Sequence, residues 1–257
     1  TEWDPWEYLL MRSCRCRMVA VRDKITARGL RNHGVKALSP GNPMMDGISK
    51  RECPIEFKKY RRLILLCGSR IPEAYENFRE LLIAIQFIQT KSSIAVFVPL
   101  TSSAMSKKIE SILKELDFKN TCHSKCENGI SQIWQKNSLH IFIGFSQFSC
   151  WAKWGEVGVA NAGTATEQLV GLGIPCVSLP GKGHQFNFNF AKRQSRLLGG
   201  AVAIAKCYET LAKQVEFLLN CDFDREIIGL RGSRRMGPKG GSNAIALGIS
   251  THLSKGS

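Results

Sequence analysis

The sequence contains no run of about 18 apolar residues free of charge, so nothing in it reads as a membrane-spanning helix. Its start also lacks the basic segment followed by an apolar one that marks a secretory leader. The ten cysteines are scattered singly, with only Cys14/Cys16 and Cys122/Cys126 close together, which excludes the dense framework of a small secreted disulfide scaffold. Reduced, mostly buried thiols in a cytosolic protein are the expectation. Cys122, His123 and Cys126 look like half of a metal clip, but a structural zinc site takes four ligands and no second pair stands at a suitable spacing, so no metal is expected. Acidic residues are scarce: 21 Asp and Glu stand against 36 Lys and Arg, a formal net charge of +15. That excess favours an anionic partner, whether nucleotide phosphate, lipid phosphate or nucleic acid, without choosing among them. The basic residues are dispersed and form no recognisable nucleic-acid module, so nucleic acid is the least favoured of the three. No internal repeat or low-complexity tract stands out.

What is present is alternation. At 257 residues and 44% hydrophobic composition the chain can bury a substantial core. From Arg61 onward, short apolar runs alternate with longer amphipathic stretches, the pattern of an α/β fold with a parallel sheet covered by helices on both faces. Strands are expected at Leu63–Cys67, Ile94–Val98, Leu139–Ile143, Val157–Ala160, Ile174–Leu179 and Ala201–Ala205. Helices are expected from Pro72 to about Gln89, over 104–116, 164–172, 186–198 and 208–219, with the aromatic stretch Phe148–Trp154 after the third strand. Pro72 suits a first helical turn, and Phe78, Leu81, Leu82 and Ile85 keep helical spacing. Upstream, Met18–Val21, Lys24–His33 and Val35–Leu38 read as the strand, helix and strand that end a separate βα domain, with Ser39–Pro43 as its connection onward. Residues 1–46 are therefore assigned to that domain and linker, 47–236 to the main Rossmann-like domain, and 237–257 to a tail ending in a helix over Asn243–Leu253. The chain opens on Thr inside an ordered-looking segment, Trp3–Met11, and an upstream portion is expected.

Three turns at one edge of the expected sheet carry chemistry, because a doubly wound sheet binds ligands outside the carboxyl ends of its strands. Gly68-Ser69-Arg70 follows the first buried strand: glycine admits a ligand to the backbone, and Arg70 offers a forked cation suited to a diphosphate. Ser69 as a simple N-cap beside a solvated Arg70 would give the same residues. Asn161-Ala162-Gly163-Thr164-Ala165-Thr166-Glu167 places small residues and free N–H groups at a helix start, a natural phosphate cradle, with Glu167 in the first turn where it could take ribose hydroxyls. Thr164 and Glu167 forming a capping box would predict the same local structure. The third turn, Gly181-Lys182-Gly183-His184-Gln185, adds Lys182 and His184, with Gln185, Asn189 and Gln194 as neutral hydrogen-bonding groups. Trp151 and Trp154 are read as core or interface residues.

These segments resemble the lipid-A-disaccharide synthases, and more closely the related proteins of cyanobacterial type. The resemblance is carried by Leu65–Arg70, by Ala162–Glu167 with the following 168–175, and by Gln185-Phe186 through Phe190–Gln194. Also similar are Arg22-Asp23 before Thr26-Ala27, Gly41–Gly47 and Arg235–Ser242. It implies a GT-B enzyme: two Rossmann-like domains facing across a cleft, with the donor nucleotide on the C-terminal one. Gly68, Ser69 and Arg70 would then meet the diphosphate of a UDP-sugar. Gly163, Thr164, Ala165 and Thr166 would lie under the phosphates, Glu167 would hold the ribose, and Gln185 and Gln194 would sit near sugar or nucleotide. The C-terminal helix would return to the N-terminal domain.

The activity implied is transfer of a hexosyl group, of N-acetylglucosamine type, to a lipid or lipid-linked acceptor, without a metal or other cofactor, at a cytoplasmic site peripheral to an anionic membrane. The general base would lie in the missing N-terminal region, so no catalytic residue is assigned. The extra Gln168 after Glu167 fits the related proteins better than the authentic synthases. A UDP-N-acetylglucosamine 2-epimerase shares the architecture and is the competing enzyme; a non-catalytic nucleotide-sugar-binding fragment is the competing non-enzyme.

Overall fold

The computed structural model describes residues 3–49, 51–121, 127–181 and 186–254. In chain order its main elements are α1 (Pro5–Arg12), β1 (Val19–Ala20), α2 (Lys24–Asn32), β2 (Ala37–Leu38), β3 (Arg61–Leu66), α3 (Glu73–Ile85), β4 (Ile94–Leu100) and α4 (Ser106–Glu115). There follow β5 (Lys119–Asn120), β6 (Gln132–Lys136), β7 (Leu139–Phe145), α5 (Phe148–Trp151), β8 (Val157–Ala160) and α6 (Thr164–Gly171). The chain ends with β9 (Cys176–Ser178), α7 (Phe188–Leu197), β10 (Val202–Ile204), α8 (Tyr208–Asn220), α9 (Asp222–Met236) and α10 (Gly241–Ser254). It divides into two compact units, Thr1–Gly47 with Ser233–Ser257, and Ile48–Gly232.

The smaller unit is a βαβ segment: β1 and β2 pair in parallel, with α2 between them in the chain. Asp23 starts α2, accepting from the N–H groups of Ile25 and Thr26 at 2.9 Å each and from the Thr26 hydroxyl at 2.6 Å. That buried carboxylate also faces the guanidinium groups of Arg22 at 3.7 Å and Arg235 at 3.5 Å. Tyr8, Ala27, Leu30, Val35 and Ala37 form its apolar core. Asp46 caps α10, accepting from Gly240 N–H at 2.6 Å and Ser242 N–H at 2.8 Å.

The larger unit is built on one sheet in the order β10-β9-β8-β3-β4-β7-β6-β5. The strands from β10 to β7 are parallel; β6 and β5 continue the sheet antiparallel. Leu63 to Leu66 and Ile94 to Val98 are buried at every successive position, which requires cover on both faces. Alternation decides which helix supplies it. Leu63, Leu65, Val96, Val98, Ile141 and Val159 meet the apolar stripes of α3, α4 and α8. On the opposite face Phe97 and Phe142 pack with Phe57, and Phe97 also meets Trp151 and Trp154. Burying these aromatic rings contributes about 1.5–3 kcal/mol each by area alone.

Pro72 is the N-cap of α3 and not part of its first turn, and the helix ends at Ile85, short of the expected Gln89. The antiparallel strands β5 and β6 and the helix α9 are additions to the expected elements. Glycine explains how α9 packs. A Cβ on Gly229 would collide with the carbonyl of Gly173, where backbone meets backbone and no side chain can yield. Gly229→Ala is therefore expected to lower stability by about 1–3 kcal/mol, read as a lower denaturant midpoint; an unchanged midpoint would contradict this packing.

Candidate functional site

The strand order creates the site. The chain runs outward from β3 through β4 to the far edge at β5, comes back through β6 to β7, and then crosses to place β8 on the other side of β3. Connections leaving β3 and β8 therefore diverge, and a crevice opens between them at the carboxyl edge, where open α/β sheets bind ligands. Here it is a cleft of about 530 Å³. Gly68, Ser69 and Arg70 line it after β3, and Gly163, Thr164, Ala165 and Gln168 line it at the start of α6. Phe148, Phe186 and Phe190 give it aromatic walls.

At the base of the cleft two amides meet, Asn161 buried and Asn77 half-buried. Asn161, 2% exposed, donates from Nδ2 to the Leu179 carbonyl at 2.6 Å and to Asn77 Oδ1 at 3.3 Å, and its Oδ1 accepts from Leu179 N–H at 3.1 Å. Asn77 in turn donates to the Cys67 carbonyl at 3.1 Å. The Ser178 hydroxyl donates to the Ala160 carbonyl at 2.6 Å. Side chains thus replace the backbone ladder where β3, β8 and β9 separate, and each buried polar group they meet is satisfied. Gly68 turns away from β3 with φ +88°, a conformation that favours glycine, and a Cβ there would press on the Asn161 carbonyl at 3.3 Å.

The helix start settles the capping question. Gly163 is the N-cap of α6 and no side chain caps it, so the Thr164–Glu167 capping box is not formed. Thr164 is the first helical residue, and Gln168 lies one turn beyond it on the same face, toward the cleft. Thr166 falls on the buried face, 0% exposed, with its hydroxyl donating to the Ala162 carbonyl at 2.7 Å. Thr166, expected under the phosphates, does not line the cleft, and its hydroxyl serves its own turn. Glu167 is half-buried and not among the residues lining the cleft, whereas Gln168 is. Among the described residues no hydrogen bond engages the N–H groups of Gly163, Thr164 or Ala165, so three donors at a helix N-terminus are available on one wall.

Gln194, expected near sugar or nucleotide, lies behind the same turn. It is 2% exposed and donates to the carbonyls of Ala162 and Gly163 at 3.2 and 3.1 Å, away from the cleft lining. Lys182, His184 and Gln185 lie outside the described residues, as do Cys122, His123 and Cys126. Cys67 lines the cleft, but burial pushes its thiol up to about 12, so it stays protonated and is no nucleophile at neutral pH.

A second chamber of about 610 Å³ shares Glu73, Asn77 and Phe186 with the cleft and adds Glu76, Glu80, Lys206 and Tyr208. The Tyr208 hydroxyl donates to Glu80 Oε2 at 2.6 Å, a bond to a carboxylate that raises the phenol above its ordinary value. Sequence reasoning missed Asn77, Phe148 and the reach of Gln168. The signal for Asn77 was its place at the edge of the Ala74–Phe78–Leu81 stripe, where a polar residue invites a buried partner.

With this geometry, the larger unit has the Rossmann-like architecture found in GT-B proteins, a mostly parallel sheet flanked by helices. No protein-family model and no curated protein matches the sequence. Solved structures do match. A putative UDP-N-acetylglucosamine 2-epimerase from Listeria monocytogenes is 14% identical with a TM-score of 0.58, over 91% of this chain and 59% of that one. MnaA of S. aureus, solved with UDP, is 12% identical with a TM-score of 0.58, over 93% of this chain and 60% of that one. A further UDP-N-acetylglucosamine 2-epimerase is 12% identical with a TM-score of 0.51, over 93% and 58%. The chain thus spans about three-fifths of the length of these proteins, and at such identities the likeness concerns the fold. No helix among the described residues is long and apolar enough to cross a membrane.

Asn161→Ala removes both bonds to Leu179 and strands two buried backbone groups. It is expected to cost about 1–3 kcal/mol of stability, measured by denaturant unfolding; a loss no greater than that of an exposed-site control would contradict the bridging role.

Proposed function

We propose that this chain is the donor half of a GT-B enzyme and that its switch-point cleft holds the diphosphate of a UDP-sugar. The observation that carries this reading is the set of open N–H groups at Gly163, Thr164 and Ala165, lining one cleft with Gly68, Ser69 and Arg70. Backbone dipoles and the Arg70 guanidinium stabilise the departing UDP, with no metal required. Ribose contact falls to Gln168, on the cleft face of α6, and not to Glu167. Phe148 offers a ring for the base.

The reaction we favour is hexosyl transfer of the lipid-A-disaccharide-synthase-related kind. An acceptor hydroxyl on a lipid or lipid-linked molecule attacks the anomeric carbon as its proton passes to a general base, the bond to the diphosphate oxygen breaks, and UDP leaves with the electron pair. The ordered motifs from Leu65 to Gln194 support this reading, and the +15 charge suits an anionic cytoplasmic membrane surface. A 2-epimerase is the second reading, favoured by the two epimerases among the solved structures of similar fold.

Calorimetric titration with UDP tests the site. Wild type is expected to bind; Arg70→Ala and Gln168→Ala are each expected to weaken binding about tenfold, a change of ~1.4 kcal/mol, with Glu167→Ala within about twofold. Loss confined to Glu167→Ala would restore the ribose to that residue, and no binding by wild type would overturn the cleft reading. Incubating the complete protein with UDP-N-acetylglucosamine alone separates the reactions: free epimer formed without acceptor would replace transfer with epimerisation.

A further inference from the structure

The turn that carries the open N–H groups is held from beneath by one side chain. Gln194 on α7 donates from Nε2 to both the Ala162 and Gly163 carbonyls, at 3.2 and 3.1 Å, while its own buried Oε1 has no hydrogen-bond partner among the described residues. Each carbonyl has a further donor: Thr166 Oγ1 on Ala162 at 2.7 Å, and Glu167 N–H on Gly163 at 3.2 Å. An amide that leaves its own oxygen unsatisfied in order to hold two carbonyls is placed for those carbonyls.

Peptide geometry turns this into a statement about the cleft. Both peptide bonds are trans, so the carbonyl of each unit and the N–H of the following residue point in opposite directions. Drawing the Ala162 and Gly163 carbonyls toward α7 sends the N–H groups of Gly163 and Thr164 the other way. Both residues line the cleft, and neither N–H has a partner among the described residues. Without Nε2 each carbonyl keeps a single donor, Thr166 Oγ1 or the Glu167 N–H, and each peptide plane is less firmly held against rotating a carbonyl oxygen toward an incoming phosphate, which would repel it.

We infer that Gln194 is a positioning residue: it fixes two peptide planes so that the N–H groups of Gly163 and Thr164 face the diphosphate, and it acts on the ligand only through them. This rests on the reading of the cleft as a nucleotide-diphosphate site. Thr166 is the lesser partner, since it holds one carbonyl where Gln194 holds two.

The test combines UDP affinity with amide NMR spectra of the full chain. In wild type, the Gly163 and Thr164 amide protons are expected to move downfield on adding UDP, as N–H groups do on bonding to phosphate. In Gln194→Met, close in length but without donors, UDP affinity is expected to fall about tenfold or more, with the downfield shifts lost. Should that variant fail to fold, Thr166→Val serves, with an expected loss of about threefold and reduced shifts. Wild type that binds UDP with both amides unmoved, or variants that keep wild-type affinity and shifts, would overturn the positioning role and leave the cleft reading standing. Wild type that binds no UDP would overturn the cleft reading and this inference together.

Discussion

Everything at the cleft depends on what happens when β8 and β9 stop pairing. Their ladder runs through Gly158 with Cys176 and Val159 with Val177. Beyond it, the backbone groups of Ala160 and Leu179 would be buried without partners, a condition proteins seldom tolerate. Asn161 and Ser178 remove the problem, and Asn77 extends the bridge from α3 to the end of β3. The separation of strands that opens a crevice is thereby made compatible with a dry interior. The crevice floor is a satisfied polar network, which is stiffer than an apolar one because each amide fixes the orientation of its neighbours.

A rigid floor allows the rim to be small and open. Gly68 adopts a conformation suited to glycine, Gly163 caps α6 without any side chain, and Ala165 leaves the helix end uncovered. Charge is handled above this floor: donors come from the backbone and from Arg70, while the carboxylates Glu76 and Glu80 line the adjoining chamber. Glu73 lines both spaces, so one carboxylate shares the cleft with Arg70.

The fold was largely legible because its strands are buried on both faces. Runs such as Leu63-Ile64-Leu65-Leu66 and Ile94–Val98 have no other stable home. The antiparallel end of the sheet was not legible, since Gln132-Ile133-Trp134-Gln135-Lys136 is mostly polar and the edge strand beyond it, Lys119–Asn120, is only two residues long. Helix α9 was hidden by Gly229 and Gly232, poor helix formers whose contribution is close approach to Gly173, Val170 and Ala201. At the site, the three turns and their small residues could be located, but the direction of each side chain could not. Whether Gln194 faces ligand or backbone, and whether Glu167 or Gln168 faces the cleft, depends on where α6 begins to the residue, and both Thr164 and Gly163 are acceptable N-caps.

A structure of the full chain crystallised with UDP tests the central claim most directly. The account predicts the diphosphate between Gly68–Arg70 and the N–H groups of Gly163–Ala165, with Gln194 out of contact. A nucleotide bound elsewhere, or a diphosphate meeting carbonyl oxygens at that turn, would contradict it.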